Sequence, residues 1–155
     1  MKLLIKKLHS EAIIPTRAYS TDSGLDIYAL LSEDVVLKPL ERKGIPTGIA
    51  VGLPKELALQ DNVIHTVWEM QVRPKSGRAL KEGLSILNSP GTIDNSYTGE
   101  IIVIAVNLSN ENITIKNKQK IAQLVISPVA ILPIELVESD LTGDRQTSGL
   151  GSTGI

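Results

Sequence analysis

The segment Asn88-Ser-Pro-Gly91-Thr-Ile-Asp94-Asn-Ser-Tyr97-Thr-Gly99-Glu100 is the first place in the sequence where residue types and spacing could do chemistry. Asp94 lies in a segment between two strand candidates, seven residues ahead of the apolar run that starts at Ile101. A carboxylate in such a half-dry position can take a proton from water, provided that something positions the water. Tyr97, three residues on, offers a flat apolar face with a polar tip, suited to packing on a sugar. Gly91 and Gly99 permit tight turns and close approach of a ligand to the backbone. Aspartate also favours turns for its own backbone hydrogen bonding, so this segment alone leaves an Asx-type turn open.

Four further stretches carry polar groups that could meet an anion. Arg73-Pro-Lys75-Ser76-Gly77 places cations, a hydroxyl and a glycine where a short helix would begin, and free backbone N–H groups at a helix start attract anions. The ordinary alternative is a helix cap with solvated charges. Gly149-Leu150-Gly151-Ser152-Thr153-Gly154, preceded by Arg145, has the glycine and hydroxyl content of a phosphate-wrapping loop. It is no P-loop, since no lysine follows the last glycine. Lys120-Ile-Ala-Gln123-Leu opens a strand with an amide able to donate. Asp22-Ser-Gly24-Leu-Asp26-Ile sets two carboxylates and a glycine in a loop ahead of a strand.

The elements that must hold these groups are strands almost throughout. Residues 66–73 alternate strictly, with Thr66, Trp68, Met70 and Val72 on one face and Val67, Glu69, Gln71 and Arg73 on the other, the pattern of a half-buried strand. Residues 101–106 form a continuous, largely β-branched apolar run, expected to be a strand covered on both faces. Shorter strands are expected at residues 3–8, 35–37, 48–53, 84–87, 113–115, 121–127 and 131–137. Pro, Gly, Asn and Asp separate them at short intervals, as in a sandwich or barrel. Residues 77–82 read as a short helix that Ser76 would cap and Gly83 would end, and residues 54–62 have room for one more helical turn. Residues 1–138 read as one domain, and residues 139–155, dense in Gly, Ser and Thr, as either a frayed tail or a flexible arm that orders over a ligand, a choice that composition leaves open.

Composition removes several functions. Cysteine is absent, so disulfides, thiol catalysis and zinc–cysteine sites are excluded. His9 and His65 have no ligand-like spacing. A net charge of −1 gives no footprint for duplex nucleic acid, so any phosphate chemistry must rest on local charges. Aromatics make up 3% and phenylalanine is missing, which leaves an aliphatic core and gives little material for a surface that stacks single strands. Apolar stretches are too short to span a bilayer, and charge interrupts the start of the chain too early for a signal peptide, so the expectation is a cytoplasmic protein with no membrane partner.

Taken in order, Ser-Gly-Leu-Asp-Ile, Arg-Pro-Lys-Ser-Gly, Gly-Thr-Ile-Asp-x-x-Tyr-x-Gly-Glu, Lys-Ile-Ala-Gln-Leu and Gly-Leu-Gly-Ser-Thr-Gly resemble the five motifs of the trimeric dUTPase family, from Ser23 to Gly154. The third is the most specific. The resemblance implies an all-β, jelly-roll-like β-barrel (the β-clip of these enzymes), a homotrimer with active sites shared between subunits, and an arm that closes over the nucleotide. It implies hydrolysis of dUTP to dUMP and pyrophosphate, which limits uracil in DNA and supplies dUMP for thymidylate synthesis.

By the same resemblance Asp94 activates the water that attacks the α-phosphorus, and Tyr97 packs on the deoxyribose and leaves no room for a 2′-hydroxyl. Asn88, Thr92, Ile93 and Ile102 read the uracil. Lys75, Ser76, Gly77 and Gln123 hold phosphate oxygens. Arg145, Leu150, Gly151, Ser152 and Thr153 cover the nucleotide from the arm. Asp26 orders water around a Mg2+ ion held mainly by the triphosphate, in keeping with magnesium's retention of its waters.

Three positions depart from the family pattern. Lys75 and Lys120 stand where arginine is usual, keeping the charge but losing the planar fork. Leu150 stands where a phenylalanine stacks on the base, which is expected to weaken closure by about 0.5–1.5 kcal/mol. None touches Asp94 or Tyr97. A dCTP deaminase shares the fold but needs a base suited to deamination, and a non-catalytic nucleotide-binding trimer has no need of a water-activating carboxylate.

Overall fold

The computed structural model describes residues 2–54 and 65–140, with His65 described in its backbone alone. Arg145, Leu150, Gly151, Ser152 and Thr153, and the helical turn expected at residues 54–62 apart from Pro54, lie outside the described residues. In chain order the elements are β1 (Leu4–Lys7), β2 (Gly24–Tyr28), β3 (Val35–Leu37), β4 (Arg42–Gly52), β5 (His65–Arg73), α1 (Ser76–Glu82), β6 (Leu84–Ile86), β7 (Gly91–Ile93), β8 (Glu100–Asn107), β9 (Ile113–Ile115) and β10 (Lys120–Ile131).

These strands form a four-stranded sheet in the order β1-β4-β8-β6, a second in the order β2-β10-β5-β7, and a ribbon of β3 and β9. Every described pairing is antiparallel. The jelly-roll-like all-β fold expected from the sequence is present, and among the described residues the ladders remain separate sheets without closing into one continuous barrel. A single aliphatic cluster joins them. Ile45, Ile49, Val103 and Ala105 from the first sheet meet Ile27, Met70, Val72 and Leu124 from the second and Ile115 from the ribbon. With no phenylalanine to fill space, β-branched and leucine side chains do the interdigitating.

Several elements differ from the expectation, each for a local reason. β2 and β7 form strands where loops were expected, because Gly24 and Gly91 lie within ladders against β10 and β5. β4 begins six residues earlier than residue 48. Its pairing with β8 jumps between Pro46 and Ala50, a bulge in which Gly48 takes φ 67°, so Pro46 and Gly48 mark an irregularity inside the strand and not its start. β10 runs through Pro128 to Ile131. Its pairing with β2 ends at Val125, so Pro128 sits where β5 is its only described neighbour and the missing N–H costs little. The strand expected at residues 131–137 is absent beyond Ile131, and residues 131–137 are exposed.

Ile102 and Ile104 of β8 are also exposed, so within one chain that strand is covered on one face. Ser76 is the first helical residue of α1. Lys75 holds the N-cap position in extended backbone, with no side-chain capping bond. Gly83 ends the helix as expected, at φ 74° in the left-handed region.

Candidate active site

β7 pairs with β5, setting Thr92 opposite Gln71 and Ile93 opposite Met70. Ile93 turns into the core and anchors the strand, while Thr92 faces outward. Asp94 follows at once, exposed at the rim. A tight turn comes next, in which the Tyr97 amide donates to the Asp94 carbonyl at 3.0 Å. The Tyr97 hydroxyl donates to the Glu100 carbonyl at 2.8 Å and folds the ring back over the turn. Gly99 lies under that ring, where a Cβ would stand 2.5 Å from the tyrosine oxygen and push the ring aside.

Glu100 is itself fixed, because the Gly48 amide donates to its carboxylate at 2.7 Å. Thr47 donates to the Ile101 carbonyl at 2.6 Å. The β4 bulge thus braces the start of β8 from below. Between these pieces lies a cavity of about 250 Å³ whose lining includes Asn88, Thr92, Ile93, Asp94, Tyr97 and Ile102. Six of the residues expected to contact the nucleotide therefore share one pocket. Its apolar floor and polar rim suit a small planar ring with hydrogen-bonding edges.

A second cavity of about 340 Å³ is lined by Asp26, Lys75 and Gln123, together with Asp22, Ser23 and Gly24. Gln123 lies flat on Gly24, where a Cβ would come within 2.2 Å of its amide oxygen, and it donates to the Pro74 carbonyl at 3.0 Å. Asp26 is buried. One of its oxygens meets Lys75, and the other meets Lys120 at 2.8 Å. Burial pushes the Asp26 carboxyl up. Hydrogen bonds and charge from Lys120 and Lys75 outweigh it and hold the carboxyl below its ordinary value. The same contact with Asp26 raises Lys120.

The two cavities have no lining residue in common. Ser76 and Gly77 are exposed at the start of α1 and line neither. Among the described residues no three His, Cys, Asp or Glu side chains cluster as a metal site. No described helix is long and apolar enough to cross a membrane. Lys120 belongs to the second group, yet by sequence it stood out only as the opening of a strand and of the fourth motif, with no partner indicated. Strict alternation would send it to the same face as the fully buried Ala122. A register shift between Lys120 and Ala122 turns it to the face of Asp26 and Tyr28 instead. A bulge of that kind leaves no mark in hydrophobic period.

Comparison with known proteins places this geometry in a family. The dUTPase family model matches residues 10–154. The chain is 44% identical over its full length to the deoxyuridine 5'-triphosphate nucleotidohydrolase of Clostridium novyi (strain NT), covering all of that protein. It is 46% identical to the enzyme of the same name from Hydrogenobaculum sp. (strain Y04AAS1), covering 99% of it. Among solved structures it is similar to a Staphylococcus bacteriophage 80alpha dUTPase variant with dUpNHpp, at TM-score 0.81 and 27% identity with 99% of each chain covered. It is also similar to a variant of the dUTPase from phage phi11 of S. aureus, described for its coordination of a structural Mg(II) ion. There the TM-score is 0.74 at 25% identity, covering 90% of this chain and 98% of that one. The chain belongs to the dUTPase family.

Proposed function

We infer that this protein hydrolyses dUTP to dUMP and pyrophosphate, as a cytoplasmic homotrimer. The observation that carries the reading is the first cavity, where Asp94, Tyr97, Asn88 and the β7 backbone meet around one volume. Relatives at 44% and 46% identity carry the name of that activity, and a similar structure holds a nucleotide analogue.

The uracil lies against Asn88, Thr92, Ile93 and Ile102, where backbone donors and acceptors of β7 and β8 discriminate its edge. Thymine is rejected by the bulk of its methyl group, and cytosine by the mismatch of its amine. The ring of Tyr97, pinned through its hydroxyl to Glu100, packs on the deoxyribose and closes the space of a 2′-hydroxyl. Asp94 takes a proton from the attacking water as the water meets the α-phosphorus, and pyrophosphate leaves.

Lys75, Ser76, Gly77 and Gln123 hold phosphate oxygens. On one chain the described members of this set stand apart from the Asp94 cavity, which supports a site assembled from more than one copy. The exposed Ile102 and Ile104 and the exposed apolar residues from Leu132 to Val137 give such copies apolar surface to bury. Arg145, Leu150, Gly151, Ser152 and Thr153 close over the bound nucleotide.

Magnesium, when bound with the triphosphate, neutralises charge on its oxygens. Asp26 fits the part of an acceptor for the ion's water, since each carboxylate oxygen keeps a lone pair beyond its lysine contact. Pyrophosphate assays with dUTP, UTP, dTTP and dCTP in magnesium test the reading. Release from dUTP alone is expected, and release from none of the four would overturn it.

A further inference from the structure

We propose that Lys120 is a positioning residue for the phosphate half of the site, acting through Asp26 to leave Lys75 effective as a phosphate-binding cation. The inference rests on the dUTP reading and adds to it a residue outside both cavities' linings.

Lys75 enters the second cavity already paired with the buried Asp26. A lysine and a carboxylate in contact present a dipole, whose pull on an incoming anion fades faster with distance than that of a net charge. Lys120 changes this balance by taking the other Asp26 oxygen at 2.8 Å. One carboxylate then faces two ammonium groups. Other charges nearby are Asp22, which lines the cavity, Arg17, whose guanidinium donates to the Asp22 carbonyl at 2.7 Å, Arg73, which pairs with Gln123 across the ladder, and Arg78, which donates to the Lys120 carbonyl at 3.4 Å and is paired with Glu82. Lys120 is the cation of this set that shares Asp26 with Lys75, and removing it leaves that carboxylate's charge opposed by Lys75 alone.

Geometry holds Lys120 to the task. The bulge in β10 brings it to the face of Asp26 and Tyr28, and its ammonium lies 5.9 Å from the centre of the Tyr28 ring. Tyr28 is fixed in turn by a 2.7 Å hydrogen bond between its hydroxyl and that of Thr16. Both lysines stand where the family motifs usually carry arginine, and they converge on one carboxylate. A lysine offers donors from a single point. Splitting the Asp26 oxygens between two lysines leaves the remaining N–H donors of Lys75 free to turn towards phosphate.

The test compares the full-length protein with Lys120→Met and Lys120→Arg, using dUTP kinetics in magnesium and calorimetric binding of inorganic tripolyphosphate and of deoxyuridine. Lys120→Met is expected to raise KM for dUTP and weaken tripolyphosphate binding roughly tenfold, about the effect of one charge-assisted hydrogen bond. kcat and deoxyuridine binding should stay within about twofold, and Lys120→Arg should restore both altered values. Unchanged tripolyphosphate binding in Lys120→Met would overturn the proposal, as would an equal loss for deoxyuridine, which marks a structural role. If the parent protein hydrolyses no nucleotide, the functional reading fails by itself, and the tripolyphosphate comparison still decides the role of Lys120.

Discussion

Asp26 has three neighbours that set its behaviour: the apolar interior beneath it and the ammonium groups of Lys75 and Lys120 above. The interior opposes its charge and the lysines favour it, with the lysines prevailing. Because the folded carboxyl is held below its ordinary value of 3.8, its contribution to stability is fully present above that value. It is lost as pH falls through the lower, folded value. The raised Lys120 sets the other edge, since its contribution is complete below its ordinary value of 10.5 and fades only at still higher pH. Asp26→Asn should therefore melt at a lower temperature than the parent across neutral pH. The gap should hold from about pH 5 to about pH 10 and shrink in strong acid. Melting curves across that range check it, and a gap that widens in acid would contradict the assigned direction.

The β4 bulge links distant parts of the chain at the scale of elements. Gly48 takes a left-handed backbone there, and its amide fixes Glu100 at the mouth of the Asp94 cavity. A Cβ at Gly48 would stand 2.9 Å from that of Ala12, which has no rotamer to move. Gly48→Ala should cost about 1–3 kcal/mol, lowering Tm by about 2–4 °C for each kcal/mol in a chain of this size. Differential scanning calorimetry measures it, and an unchanged Tm would show that the bulge relaxes freely. Elements whose own pattern fixed their geometry were legible beforehand. β5 alternates so regularly that its inward Met70 and Val72 can be read from the letters, and β3 and β9 fall at the expected residues. β2 and β7 were missed because Gly24, Asp26 and Gly91 are loop-forming residues locally and are held in strands by partners far along the chain. Asp94 and Tyr97 stood out by type and spacing and Asn88 by the resemblance, and all three line the first cavity. The contact of Lys120 with Asp26 escaped because a register shift, which is a property of the pair of strands, decides where it points.

For the whole molecule, the separation of the two cavities matters more than either one. Residues proposed for the base and sugar surround one volume, while Lys75 and Gln123 of those proposed for phosphate line another, and the trimer proposed above is what would unite them in one site. Ile134 and Leu136 are 100% and 94% exposed, apolar surface that a neighbouring copy could cover. Light scattering should return about three times the 16.7 kDa chain mass, and a monomer mass would remove the shared site. The most direct test of the account is pyrophosphate release from dUTP in magnesium by the parent protein and by Asp94→Asn. With its general base gone, the variant should lose about 10²- to 10⁴-fold in kcat while still binding the nucleotide. A variant that turns over dUTP as fast as the parent would contradict the assignment of Asp94, and with it the chemistry proposed for this cavity.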